Sequence, residues 1–179
     1  MDPNTSAGSR VIEAVETTAE APPVLGFEDF YRSEYSSVVR ALVIVAGGVP
    51  AAEELAQEAF ARTFERWDRV SAMGSPAGYV YRAALNLHRS RLRRAAVALR
   101  LGSGRPDRGA EHEPGVRLEV REMLASLPRG QREALMLVEW LGYSADEASR
   151  ILGVRPSSVR GRLHRARQTL RERFGGDDD

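Results

Sequence analysis

The sequence predicts an all-α chain of two small helical domains, on three observations. Apolar residues recur at steps of three and four, and no stretch alternates strictly as a strand would. Gly and Pro punctuate this pattern at helix-length intervals. One stretch rich in Gly, Pro and charge, LGSGRPDRGAEHEPG at 101–115, divides the pattern in two and reads as a flexible linker. A length of 179 residues suits two such halves. The expected layout is a tail at 1–25, a first domain at 26–98, a linker at 99–115, a second domain at 116–174 and an acidic tail at 175–179.

Residues 1–25 are rich in Pro, Ala, Thr and acids and read as flexible. Phe27, Phe30, Tyr31, Tyr35, Val38, Leu42 and Val45 form the apolar side of a first helix, ended by Gly47-Gly48. A second helix follows Pro50, with Leu55, Ala59, Phe60, Phe64 and Trp67 inward. DRVSAMGSP at 68–76 reads as a loop. A third helix starts near Pro76, with Tyr79, Val80, Ala83, Ala84, Leu87 and Leu92 inward and Arg82, Arg89, Arg93 and Arg94 outward. Beyond the linker, short helices are expected over 116–127 and 129–141, the latter opened by Pro128 and closed by Gly142.

SADEASRILGVRPSSVRGRLHRARQTL, 144–170, completes the pattern. Ser144 and Glu147 have the S-x-x-E spacing of a capping box, with Tyr143 at the staple position. Gly153 permits a left-handed turn, and Pro156 suits a first helical position. Val159, Leu163, Ala166 and Leu170 make one buried stripe, and the rest of that helix is coated with Arg. Together these are a helix-turn-helix, whose second helix can place its N-terminal residues at base edges in a major groove. Arg can pair bidentately with guanine, and Ser with bases or phosphates. Arg155 stands at the apparent N-cap, where Ser or Asp is preferred; a phosphate can take up the free N–H groups there.

Charge supports this reading. The net charge of +1 hides strong segregation. Residues 76–108 and 150–173 each carry eight Arg and one acid, whereas 1–36 carry seven acids and two Arg, and 51–68 five acids and two Arg. Two basic blocks suggest two polyanion contacts, and the acidic segments a different partner. All 26 basic residues are Arg, a bias consistent with a GC-rich genome. There is no Cys, and the three His are unlinked by any metal spacing, so thiolate zinc sites and cysteine nucleophiles are excluded. No catalytic constellation or cofactor motif appears; GSGRPDRG lacks the Lys-Ser/Thr of a phosphate loop. No apolar run approaches the roughly 18–20 residues of a membrane span, so the cytoplasm is expected.

LPRGQREALMLVEWLGYSADEASRILGVRPSSVRGRLHRARQTL resembles region four of a group IV (extracytoplasmic-function, ECF) bacterial sigma factor. AAEELAQEAFARTFERW is similar to region 2.2, and SPAGYVYRAALNLHRSRLRR to regions 2.3–2.4. The resemblance spans about residues 26–174 and departs from the common pattern at Ala51, Ser90 and Ala148-Ser149. It implies a non-enzymatic promoter-specificity subunit that binds core RNA polymerase and the minus-ten and minus-thirty-five promoter elements, with an anti-sigma protein as a frequent partner in the family. By the same resemblance Glu54, Leu55, Gln57, Glu58 and Phe60 dock on the polymerase clamp helices. Arg82, Asn86, Arg89 and Arg93 face minus-ten DNA, and the loop at 69–76 captures a flipped base. Arg155, Ser157, Ser158, Arg160, Arg162, Arg165 and Arg167 meet minus-thirty-five DNA. Tyr79 and Tyr81 can stack on unpaired bases, with Tyr79 expected in the core. The rival reading is a stand-alone helix-turn-helix regulator with a sensor or dimerisation domain; the second basic block beside an acidic helix argues against it.

Overall fold

The computed structural model describes residues 26–101 and 118–174, and every regular element among them is helical. The expected tails, and nearly all of the expected linker, lie outside the described residues.

Helix α1 (Phe27–Ala46) buries Phe30, Val38, Ala41, Leu42 and Val45 and stops at Gly47, whose φ of 85° and N–H to the Val43 carbonyl make a left-handed cap. Helix α2 (Val49–Phe64) starts at once, with Pro50 in its first turn where no amide donor is needed, and packs along α1. Leu55, Ala59 and Phe60 are buried as expected, but Phe64 is 63% exposed and Trp67 lies beyond the helix. The chain breaks at Arg66 and re-forms one helical turn, α3 (Trp67–Val70), inside the stretch expected as a loop. That turn seats Trp67 on Phe30, ring centroids 4.9 Å apart, and buries Val70 completely.

Helix α4 (Pro76–Arg100) is capped by Ser75, whose hydroxyl accepts from the Gly78 N–H at 3.1 Å. It runs two residues past the expected boundary at 98. Val80, Ala84 and Leu87 are buried, as expected; Leu92, also expected inward, is 44% exposed. The two tyrosines also differ from expectation. Tyr81 is 2% exposed and burial pushes its phenol up to about 12, whereas Tyr79 is only half-buried and its hydroxyl accepts from Arg66 at 3.0 Å. Tyr81 is thus a core residue in this arrangement, with its ring against Tyr143.

In the second half, α5 (Leu118–Ala125) leads to α6 (Arg129–Leu135). The helix expected to continue to 141 instead widens into a π-turn over Met136–Trp140, where the Leu141 N–H reaches the Met136 carbonyl. The wider turn keeps Met136 and Leu137 in the core while Trp140 stands 60% exposed. Helices α7 (Ala145–Leu152) and α8 (Pro156–Phe174) follow. The two halves share one continuous core: α4 packs on α7, α1 touches α6, and Tyr81 meets Tyr143 edge-on at 6.2 Å.

Candidate nucleic-acid interface

The geometry of the helix-turn-helix begins at Ser144. Its hydroxyl accepts from the Glu147 N–H at 3.2 Å, and its own N–H donates to the Glu147 carboxylate at 2.9 Å, closing the expected capping box. The Ser144 hydroxyl, then its N–H, holds the Glu147 carboxyl below the usual range. Helix α7 buries Ala148, Ser149, Ile151 and Leu152 and ends at Gly153, φ 68°, whose N–H returns to the Ser149 carbonyl. No atom lies within 4 Å of where a Gly153 side chain would start, so backbone conformation, not space, requires glycine there.

The turn launches α8 across α7 and α6. Val159, Leu163 and Ala166 are buried, and Leu170 is half-buried at the edge. Opposite them Ser157, Arg160, His164 and Arg167, spaced three, four and three apart, form an exposed stripe, with Arg155 and Arg165 exposed on its flank. Ser158 is half-buried. Two of the expected DNA contacts are engaged elsewhere. Arg162 lies half-buried on Gly130, where an added Cβ would be 3.3 Å from its guanidinium carbon, so the missing side chain of Gly130 is the seat of that arginine. Arg167 is on the stripe but bonded to Glu139 of the π-turn.

On α4, Arg82, Asn86, Arg89 and Arg93 follow steps of four, three and four, and so share one face. Arg82, Asn86 and Arg93 are exposed. Arg89, expected outward, is not free. It grips the Glu133 carboxylate with two prongs, at 3.1 and 2.6 Å, and reaches the Leu152 carbonyl at 3.4 Å. Beside α4's start, a cavity of about 390 Å³ is lined by Phe30, Glu34, Trp67, Ser71, Ser75, Pro76 and Ala77. It opens on the 69–76 segment expected to capture a base.

The acidic face on α2 divides. Glu54 and Gln57 are exposed, and Glu58 is partly exposed. Leu55 and Phe60, at 1% and 2% exposure, lie in the core beneath this face. Sequence reasoning missed Arg91, whose two prongs reach Glu54 at 2.9 Å and Glu58 at 3.0 Å from the far side of α4. Burial opposes ionisation of Glu58, but the bonds from Arg91 and Arg62 outweigh it and lower its pKa. Sequence position alone does not bring residue 91 to 54; only the packing of α4 on α2 does. Among the described residues no cluster of His, Cys, Asp or Glu could hold a metal, and no helix is long and apolar enough to cross a membrane.

Comparison with known proteins agrees with this architecture. Residues 30–97 match the Sigma-70 region 2 family and residues 117–170 match Sigma-70, region 4. The chain is 30% identical over 154 residues to the ECF RNA polymerase sigma factor EcfG of Rhodopseudomonas palustris, covering 78% of this chain and 85% of that protein. It is 29% identical over 175 residues to the ECF RNA polymerase sigma factor SigE of Mycolicibacterium smegmatis, covering 92% of this chain and 66% of that one. The fold matches the sigma factor RpoE of Bartonella quintana, solved in complex with the anti-sigma factor NepR, with a TM-score of 0.74 at 21% identity over 84% of this chain and 98% of that one. With both sigma-70 regions present in order, and a 30% identical relative covered over most of its length, the chain belongs to the ECF sigma factors of the sigma-70 family.

Proposed function

We propose that the chain directs core RNA polymerase to promoters through two modules, 26–98 and 116–174, with distinct contacts. The observation that carries this is the α8 stripe: Ser157, Arg160 and His164 stand exposed opposite a buried seam, on a helix aimed by a capped α7 and a left-handed turn. Such a helix fits a major groove with its N-terminal residues at base edges, here those of the minus-thirty-five element. Arg160 is placed to pair with a guanine edge, while Arg155, Arg165 and, once released by Glu139, Arg167 meet phosphates. In the first module Arg82, Asn86, Arg89 and Arg93 track the minus-ten DNA, and the cavity bordered by Ser71 and Ser75 receives an unstacked base against Trp67 and Phe30. Glu54, Gln57 and Glu58 offer a polar, acidic surface to the polymerase clamp helices, with Leu55 and Phe60 supporting it from beneath. An anti-sigma protein covering these faces is a further partner, in line with the complex in which the matched RpoE was solved. The protein acts in the cytoplasm, on the nucleoid when bound to polymerase, and does no covalent chemistry itself.

Run-off transcription with core polymerase on genomic fragments, with permanganate footprinting of opened thymines, tests this. Transcripts that depend on the added chain, lost on Asn86→Ala with closed-complex formation retained, are expected. Sequence-specific duplex binding without any effect of core polymerase would favour the stand-alone regulator instead.

A further inference from the structure

Glu133 is the one carboxylate among the described residues buried to 1% exposure. It sits on α6 next to fully buried Ala134. A charged carboxylate withdrawn from water is tolerated only with close cationic partners. Arg129, on its own helix and four residues earlier, is 3.5 Å away and too distant for a short bond. The short partner is Arg89, from the other half of the chain, bound through two nitrogens and itself only 18% exposed. The same guanidinium also reaches Asn86 and the last carbonyl-bearing turn of α7, at Leu152. Glu133 therefore holds the middle of the α4 stripe, and Tyr143 packs on Tyr81 at the same junction.

This state cannot engage a whole promoter. Two elements named for positions about 25 base pairs apart are separated by roughly 85 Å along B-form DNA at 3.4 Å per step. Helix α8, which packs on α6, has 19 residues and is only about 28 Å long. With α6 clamped to α4, the two reading surfaces stay within a few tens of ångström of one another. The junction around the pair is apolar, since Tyr81 packs on Tyr143 and α4 on α7 within one core shared by both halves. Glu133 and Arg89 are the charged element inside it: on parting they become solvated charges, and Arg89 is then free for a phosphate.

We propose that Glu133 and Arg89 form a latch holding the second half of the chain on the DNA-facing stripe of α4, and that Arg89 exchanges Glu133 for promoter phosphate when the latch opens. The exchange rests on the minus-ten role given to Arg89 above; the latch itself does not. The sequence contains no Cys, so labels placed through Ala61→Cys on α2 and Glu172→Cys on α8 are unique reporters of closure by single-molecule energy transfer in the full chain. The otherwise unaltered chain should show mainly a high-transfer state. Glu133→Gln, and more strongly Glu133→Ala, should raise the low-transfer population at least tenfold while helicity by circular dichroism is retained. Arg89→Lys, which keeps the charge but not the two-pronged grip, should shift it to an intermediate extent and covers the case in which a Glu133 variant misfolds. Distributions unchanged in every folded variant would overturn the latch. Run-off transcription by the unsubstituted chain is measured alongside. Its absence would count against promoter reading while leaving the energy-transfer result to decide the latch.

Discussion

Arg160 and Arg167 lie on the same stripe of α8, yet the structure gives them different starting states, and that difference sets a measurable asymmetry. Arg160 is exposed, and no described carboxylate pairs with it, so on the role proposed above its guanidinium would reach a base edge at no cost in broken ion pairs. Arg167 must first leave Glu139, a pair with side chains 55% and 42% exposed. Such a half-solvated pair contributes about 0.2–1 kcal/mol. A bidentate base contact is worth about 1–3 kcal/mol of discrimination, or roughly 5- to 150-fold. Arg160→Ala should therefore cost that much on the preferred minus-thirty-five duplex and almost nothing on scrambled duplexes. Arg167→Ala should weaken all duplexes alike, and reduce the salt slope by less than the full ~0.9 that one phosphate contact supplies. Glu139→Gln should tighten binding on every sequence and steepen the slope, and the double variant with Arg167→Ala should lose most of that gain. Duplex affinities of the full chain over a salt series measure all four. If Arg160→Ala lowers binding by one common factor on preferred and scrambled DNA, the helix is an electrostatic clamp and the base-reading argument is wrong. If Glu139→Gln acts equally with and without Arg167, the pair does not gate that arginine.

Leu55→Ala and Phe60→Ala should each destabilise the fold, by about 2–5 kcal/mol for the leucine, because both are buried; melting temperature reports it, whereas Glu54→Ala with Gln57→Ala should weaken core polymerase binding with melting unchanged. His88, 9% exposed, faces Glu133, Arg132, Arg129 and Arg91, and burial sets its imidazole below the ordinary value despite the pull of Glu133. The unfolded chain therefore binds the proton first, so stability should fall as pH drops below about 6.5, and His88→Gln should flatten the melting profile between pH 7.5 and 5.5; a wild-type profile already flat there would refute this. Gly153→Ala should cost about 1–2 kcal/mol through its left-handed backbone alone, and Gly153→Asn less, both read by thermal unfolding.

Much of this site is legible in sequence because it is local. The Ser144–Glu147 box, the Gly153 turn and the 159-163-166 seam each depend on residues within one or two helical turns, and all three stand as the spacing predicts. What sequence missed is set by packing between distant elements. Leu55 and Phe60 match a docking segment by resemblance, but spacing cannot say whether an apolar residue faces a partner or its own core. Tyr79 and Tyr81 differ by two residues, hence by opposite faces, and only the position of α1 and the second half decides which is inside. The α3 turn at Trp67 and the π-turn at 136–140 are likewise local departures chosen by tertiary contacts of Trp67 and Met136. The engaged arginines 89, 91, 162 and 167 look alike in sequence, each a solvated charge on a helix.

Their engagement follows one rule of helix geometry. Residues two apart on a helix point to different sides. On α4 this separates Arg89, turned to Glu133 in the second half of the chain, from Arg91, turned to Glu54 and Glu58 on α2. The acidic face of α2 is thus already partly neutralised by Arg91 of α4 behind it, and its negative potential is weaker than the five acids of 51–68 suggest. On the docking role proposed above, a polymerase surface competing for those carboxylates would have to offer more than charge, and Gln57, exposed between Glu54 and Glu58, would give it a neutral hydrogen-bonding group. Helix α4 is then the element through which the three contacts meet. Its apolar side builds the first half of the core, and its arginines reach α2 on one flank and Glu133 on another. The remainder of the stripe, Arg82, Asn86 and Arg93, is exposed. A change in any one neighbour alters the charges presented to the other two, so the proposed docking, closure and DNA contacts would be coupled through a single 25-residue helix.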